Sequence, residues 1–221
     1  MNELSNFLLI ILLLLNLQML STGSMKTCIK VVAAEGIIIG IISFLIHWDD
    51  ISVGIFLTNA LMLVIKGVIL PWLILRCLVR VNIKREVEPF ISYTASVVYG
   101  IILFFIGFLF SSQIPTVNGI FLSLPVALMT IFSGLMLLVS RRKAITQVLG
   151  YLMFENGIYL FGELMPLKNS LIVELAILLD VFVFIFVIGI TVFHIQQEFN
   201  HIDTDRLSHL SDLPGRTKLE K

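Results

Sequence analysis

Five ionisable residues stand inside stretches that are otherwise apolar: Glu35, Lys66, Glu155, Glu174 and Asp180. If those stretches lie in lipid, each charge costs roughly 2.5–3.5 kcal/mol to place near the bilayer centre. Such a group needs an opposite charge, a protein-lined cavity or a change of protonation. A carboxylate or lysine in that setting exchanges its proton more readily near neutral pH than it does in water. The chemistry on offer is a proton or cation relay. The competing reading is a structural ion pair, Lys66 with Glu155 or Asp180, that keeps helices in register.

Depth decides which of the five belong together. Lys66 falls near the middle of the apolar stretch 52–78, Glu155 near the middle of 146–166, and Asp180 well inside 170–195. These three share the midplane. Glu35 is nearer the cytoplasmic end of its stretch. Glu174 is nearer the outer face, about 9 Å from Asp180 along one helix and about 120° around it. Glu163 lies close to the outer boundary, where water is expected to solvate it.

The elements that must position these residues are membrane helices. The chain has 221 residues, 58% hydrophobic and only 14% charged, with a mean hydropathy of +1.02. A water-facing surface needs roughly 25–35% charged residues, so lipid must be the solvent. Spanning the hydrocarbon takes about 20 mostly apolar residues. Seven stretches qualify: 4–21, 29–47, 52–78, 91–111, 118–139, 146–166 and 170–195. The expected fold is therefore all-α, a polytopic bundle of about seven transmembrane helices. Residues 1–195 form the membrane domain and 196–221 a polar tail. A signal peptide at the start would need a basic leader, and the residues before Phe7 carry Glu3 with no Lys or Arg.

Charge placement orients the bundle. Lys26 and Lys30 flank the first connection. Arg76, Arg80, Lys84 and Arg85 flank the third, and Arg141, Arg142 and Lys143 the fifth. Arg206, Arg216, Lys218 and Lys221 are in the tail. On the opposite side stand the acidic turn Asp49–Asp50, an uncharged connection and the single Lys168. Basic residues mark the cytoplasmic side, which puts the N-terminus outside and the C-terminus in the cytoplasm. The membrane implied is the cell's inner, plasma membrane. A formal net charge of zero argues against nucleic acid as a partner.

Several secondary features bear on the relay. Pro71 follows Lys66 by five residues and is expected to kink its helix, freeing the Gly67 carbonyl. Pro125 is expected to kink the fifth span. Asn156, beside Glu155, is suited to hydrogen-bonding across helices. Gly150 and Gly157 permit close packing. Cys28 and Cys77 form no CxxC pattern and are read as inert thiols at cytoplasmic helix ends. His194 and His47 are read as interfacial side chains. There is no phosphate-binding glycine loop, zinc spacing or triad, so neither a cofactor nor covalent chemistry is expected in this chain.

Two motifs carry a family resemblance. The run GYLMFENG, from Gly150 to Gly157, follows Arg141–Arg142, and LIVELAILLD places Glu174 and Asp180 six residues apart. With the mixed-charge run HIDTDRLSHLSD, this region (118–195 and the start of the tail) resembles subunit K of NADH-quinone oxidoreductase. It departs in one respect. Subunit K has its glutamate two residues after the glycine, where this chain has Leu152, and the carboxylate comes one turn later at Glu155. Over roughly residues 50–210 the chain more closely resembles the hydrogenase-4 component E family, which extends the K-like unit with N-terminal helices. The run VIKGVILPWL, holding Lys66 and Pro71, is similar to that family's third-helix pattern.

The resemblance implies a non-catalytic membrane subunit of an energy-converting, group 4 hydrogenase or complex I-like oxidoreductase complex. Its partners would be other membrane subunits, including antiporter-like ones. Nickel and iron–sulfur centres would belong to soluble subunits. Lys66, Glu155 and Asp180 would join a hydrophilic axis for proton or sodium translocation. The position of Glu35 suits an entry from the cytoplasm and that of Glu174 an exit toward the outer face, although no family feature anchors Glu35. Two alternatives stay open. One is a stand-alone small-solute or ion transporter, although no repeat relates 1–110 to 111–221. The other is a non-conducting spacer in the same complex.

Overall fold

The computed structural model describes residues 2–46, 53–80, 91–111, 122–141 and 144–163, with residue 189 beyond them. All the helices named below belong to the compact unit Met1–Phe184; a second unit comprises Ile185–Lys221. The described residues are helical and contain no strand. In lipid a chain must satisfy its backbone hydrogen bonds internally, and a helix does so within one segment.

The helices are α1 (Asn2–Ser21), α2 (Met25–Ile46), α3 (Val53–Val64), a π-helical turn (Ile65–Ile69), α4 (Leu70–Arg80), α5 (Tyr93–Ser111), α6 (Ser123–Ser140) and α7 (Ala144–Glu163). Five segments are long and apolar enough to cross a membrane: Glu3–Ser21, Met25–Ile46, Asn59–Arg76, Tyr93–Ser111 and Ser123–Ser140. The third of these runs through the π turn. The stretch expected as the sixth span is a helix, α7, but with Gln147, Glu155, Asn156 and Glu163 it is not among the five segments apolar enough to cross a membrane. The expected seventh span, 170–195, lies outside the described residues, Gly189 excepted.

Lipid as solvent removes the usual sorting of apolar residues to the inside. In α5 the buried positions are Ser96, Gly100, Gly107 and Ser111, while Ile102, Phe105, Leu109 and Phe110 face outward. Small residues let backbones approach closely, and dispersion replaces the hydrophobic effect as the attraction between helices. Ser92 begins this helix by accepting the Ala95 N–H, 3.3 Å away, as an N-terminal cap does. Pro125 does not kink α6. The helix begins at Ser123, so Pro125 sits in its first turn, where a missing N–H costs no intrahelical bond.

The apolar core gathers Leu9 and Leu12 of α1, Ile39 and Ile42 of α2, Met62 of α3, Val126 and Ala127 of α6, and Tyr159 and Leu160 of α7. One polar contact ties α1 to α6: the buried Asn16 amide donates to Thr130 Oγ1 at 2.8 Å. Thr130 in turn donates to the Val126 carbonyl one turn back, at 2.7 Å. Interhelical hydrogen bonds in membranes average about 0.6 kcal/mol, because the separated helices also find partners. Thr130→Val is therefore expected to cost about that much, a shift of a degree or two in the thermal midpoint of the detergent-solubilised chain.

Arg141, one of the basic residues at the fifth connection, is buried. It is 1% exposed, and its guanidinium lies 4.9 Å over the Tyr93 ring. A planar, weakly hydrated guanidinium suits such a stacked site better than lysine would.

Candidate functional site

The site is built where α2, the π turn and α7 meet. Lys66 is the second residue of the π turn. The Leu70 N–H bonds to the Ile65 carbonyl, five residues back. In that register the next carbonyl is that of Lys66 itself. The next N–H is missing, because residue 71 is proline. The proline effect expected at Gly67 is thus shifted by one residue, and it takes the form of a widened turn. Such turns recur at functional sites because they re-aim side chains within a helix.

From this turn Lys66 Nζ reaches Glu155 Oε1 of α7 at 2.9 Å. Both residues are buried, 7% and 1% exposed. Of the two partners the sequence offered for Lys66, Glu155 is in contact with it, and Asp180 lies outside the described residues. The Lys66 ammonium also lies 5.3 Å from the centre of the Tyr159 ring, within the range of a cation–π contact. Tyr159 follows Glu155 by one helical turn, so ring and carboxylate share a face of α7.

Glycines bring the backbones close enough for these contacts. A Cβ placed on Gly36 would stand 3.0 Å from the Lys66 carbonyl carbon and oxygen. One on Gly40 would stand 3.0 Å from Leu63, and one on Gly67 would stand 2.6 Å from Ile37. Gly36 and Gly40 form a GxxxG face on α2, a pattern that admits a neighbouring helix to close range. Gly150 and Gly157 act similarly between α7 and α6, as their sequence positions suggested. Cβ atoms there would meet Leu138 N at 2.8 Å and Ile131 N at 2.6 Å.

Glu35 is fully buried, and the polar side chain beside it is Asn156. Asn156 thus reaches across to α2, as expected of it, and Glu35 is buried inside the bundle. The site therefore joins Glu35, Lys66, Glu155 and Asn156. Glu174 and Asp180 lie outside the described residues.

The site extends along α2 and α7 through Ser43 and Tyr159, which the sequence did not single out, and Glu163, which it assigned to solvent. Ser43 of α2 donates to Glu163 Oε1 at 3.0 Å, and its oxygen lies 3.2 Å from the Tyr159 hydroxyl. Glu163 is half-buried and bonded to α2, whereas its position at a helix end had suggested simple solvation. The overlooked signal was the spacing Glu155, Tyr159, Glu163: successive fourth residues stack on one helical face. Glu35 meets Asn156, while Ser43 meets Tyr159 and Glu163. The helices α2 and α7 therefore run in the same direction.

Among the described residues, no group of three His, Cys, Asp or Glu is placed to hold a metal ion. No protein-family model matches the chain, and no solved structure matches it. The chain is similar to an uncharacterized protein of Mycobacterium tuberculosis, 26% identical over 193 residues that cover 85% of this chain and 87% of the relative.

Proposed function

We propose that the chain is a non-catalytic membrane subunit of an energy-converting hydrogenase or complex I-like assembly, where it contributes to proton or sodium translocation. It resides in the inner membrane as seven spans, N-terminus outside, beside antiporter-like subunits. Lys66 and Glu155 form the exchange centre. Glu35 feeds it from the cytoplasmic side, and Asp180 and Glu174 continue it on the seventh span.

One observation carries the reading. The two runs behind the family resemblance, VIKGVILPWL and GYLMFENG, are about 90 residues apart in sequence, and each supplies one half of a single buried ion pair. A pair held by a π turn, with a third ionisable side chain buried nearby, suits a centre whose charge changes hands. A register pin alone would need neither.

The test removes the centre without leaving a charge stranded. Lys66→Met with Glu155→Gln takes away both charges, so assembly should survive. In inverted membrane vesicles holding the complex, donor oxidation is expected to continue while ions moved per turnover fall at least tenfold. Asp180→Asn is expected to do the same. Wild-type pumping in both would leave the pair as a structural pin and the chain as a spacer.

A further inference from the structure

Tyr159, Ser43 and Glu163 make a single file of exchangeable hydrogens that begins beside the Lys66–Glu155 pair. Tyr159 is buried under the Lys66 ammonium. Its hydroxyl lies 3.2 Å from Ser43 Oγ, and Ser43, fully buried on α2, donates to Glu163 at 3.0 Å. Because Ser43 gives its hydrogen to the carboxylate, the Tyr159 hydroxyl is left as the donor to Ser43. Glu155 and Glu163 are eight residues apart on α7, about 12 Å along the axis. That is close to half of the hydrocarbon core's thickness of about 30 Å.

We propose that Tyr159, Ser43 and Glu163 form the outward exit of the relay, with Glu163 the terminal acceptor, and that the ion carried is the proton. This rests on the relay reading above and deepens it. A hydroxyl both donates and accepts, so a row of two hydroxyls ending in a carboxylate can pass a proton from oxygen to oxygen.

The transfer balances. A proton leaves Lys66 Nζ and arrives at the Tyr159 oxygen, through one bridging water or a small turn of the lysine. Tyrosine's own hydrogen passes to Ser43, and the serine hydrogen passes to Glu163 Oε1. Lys66 ends neutral and Glu163 protonated. Glu163 then releases its proton at the outer end of α7. Lys66 regains one from the Glu155 side, and the hydroxyls rotate back.

The experiment compares Glu163→Gln, Tyr159→Phe and Ser43→Ala with the double variant Lys66→Met/Glu155→Gln and with Glu174→Gln. All are assayed in inverted vesicles for ions moved per turnover of the intact complex. Glu163→Gln and Tyr159→Phe are expected to lower that ratio at least tenfold, and Glu163→Asp to recover part of it. Ser43→Ala is expected to lower it less, since water can occupy the space of the lost hydroxyl. Tyr159→Phe keeps the ring under Lys66, so a purely structural role would leave the ratio unmoved. Wild-type ratios in Glu163→Gln and Tyr159→Phe, with the double variant inactive, would overturn the exit and leave the relay standing. Loss confined to Glu174→Gln and the double variant would do the same. Wild-type ratios throughout would end both readings. Pumping that stops when sodium is replaced by choline would overturn the proton assignment.

Discussion

Lys66→Met is expected to destabilise the folded chain by about 3–4 kcal/mol, Glu155→Gln by slightly more, and the two together by far less than either. Removing one member of a buried pair strands the other charge, at about 3–5 kcal/mol. Protonation chemistry bounds each penalty. A stranded carboxylate can take up a proton, which at pH 7 costs an ordinary glutamate about 3.7 kcal/mol. A stranded lysine can lose one, at about 4.6 kcal/mol. The stranded lysine is therefore the worse of the two. It has no ready route to water, because the π turn holds it inside the bundle, where it is 7% exposed. Methionine and glutamine together fill nearly the same volume and leave nothing to neutralise. The measurement is the thermal midpoint and membrane yield of the full chain for both singles and the double, read as a thermodynamic cycle. Additive losses in the double would mean that the pair is not coupled in the folded protein.

The coupling also bears on what the sequence could reveal. Depth along each apolar stretch set Lys66 and Glu155 at one level, because a charge in lipid has few places to be and an opposite charge at that level is the cheapest partner. Depth alone offered Lys66 both Glu155 and Asp180 as partners, since the sequence sets both near the middle of their apolar stretches. The π turn was invisible for a different reason. Proline announces a missing N–H, but whether the helix bends or widens depends on what packs against it. Here Gly36 meets the Lys66 carbonyl directly. Glu35 was hard to place because α2 is apolar on every side, so no stripe marks its inner face. The GxxxG pair Gly36 and Gly40 was the readable sign, and it places Glu35, one residue earlier, next to the buried face. Glu163 was misjudged because position at a helix end was given more weight than the four-residue spacing that aligns it with Tyr159 and Glu155.

The second large effect is steric. Gly134→Leu is expected to prevent accumulation of folded protein, and Gly134→Ala to cost at least about 2–3 kcal/mol, at or above the upper end of usual overpacking penalties. A Cβ on Gly134 would stand 2.3 Å from Phe154 N, 2.6 Å from Phe154 Cα and 2.7 Å from the Gly150 carbonyl oxygen. All three obstacles are backbone atoms of α7, so no rotamer change relieves them. The two helices must separate. Gly150 and Gly157 face α6 with the same intimacy, so separation at Gly134 opens a contact that runs along most of the helix pair. Phe154 is followed directly by Glu155. Pushing α7 away from α6 therefore displaces the carboxylate that holds Lys66, and the alanine variant should weaken the ion pair as well as the packing. That gives a sharper readout than stability alone. In the Gly134→Ala background, Lys66→Met is expected to cost less than it does in the wild type, because the pair is already loosened. Gly189→Ala serves as the control, since a Cβ there meets nothing within 4 Å. If Gly134→Ala melts like wild type, or if Lys66→Met costs the same in both backgrounds, the α6–α7 contact does not set the position of Glu155.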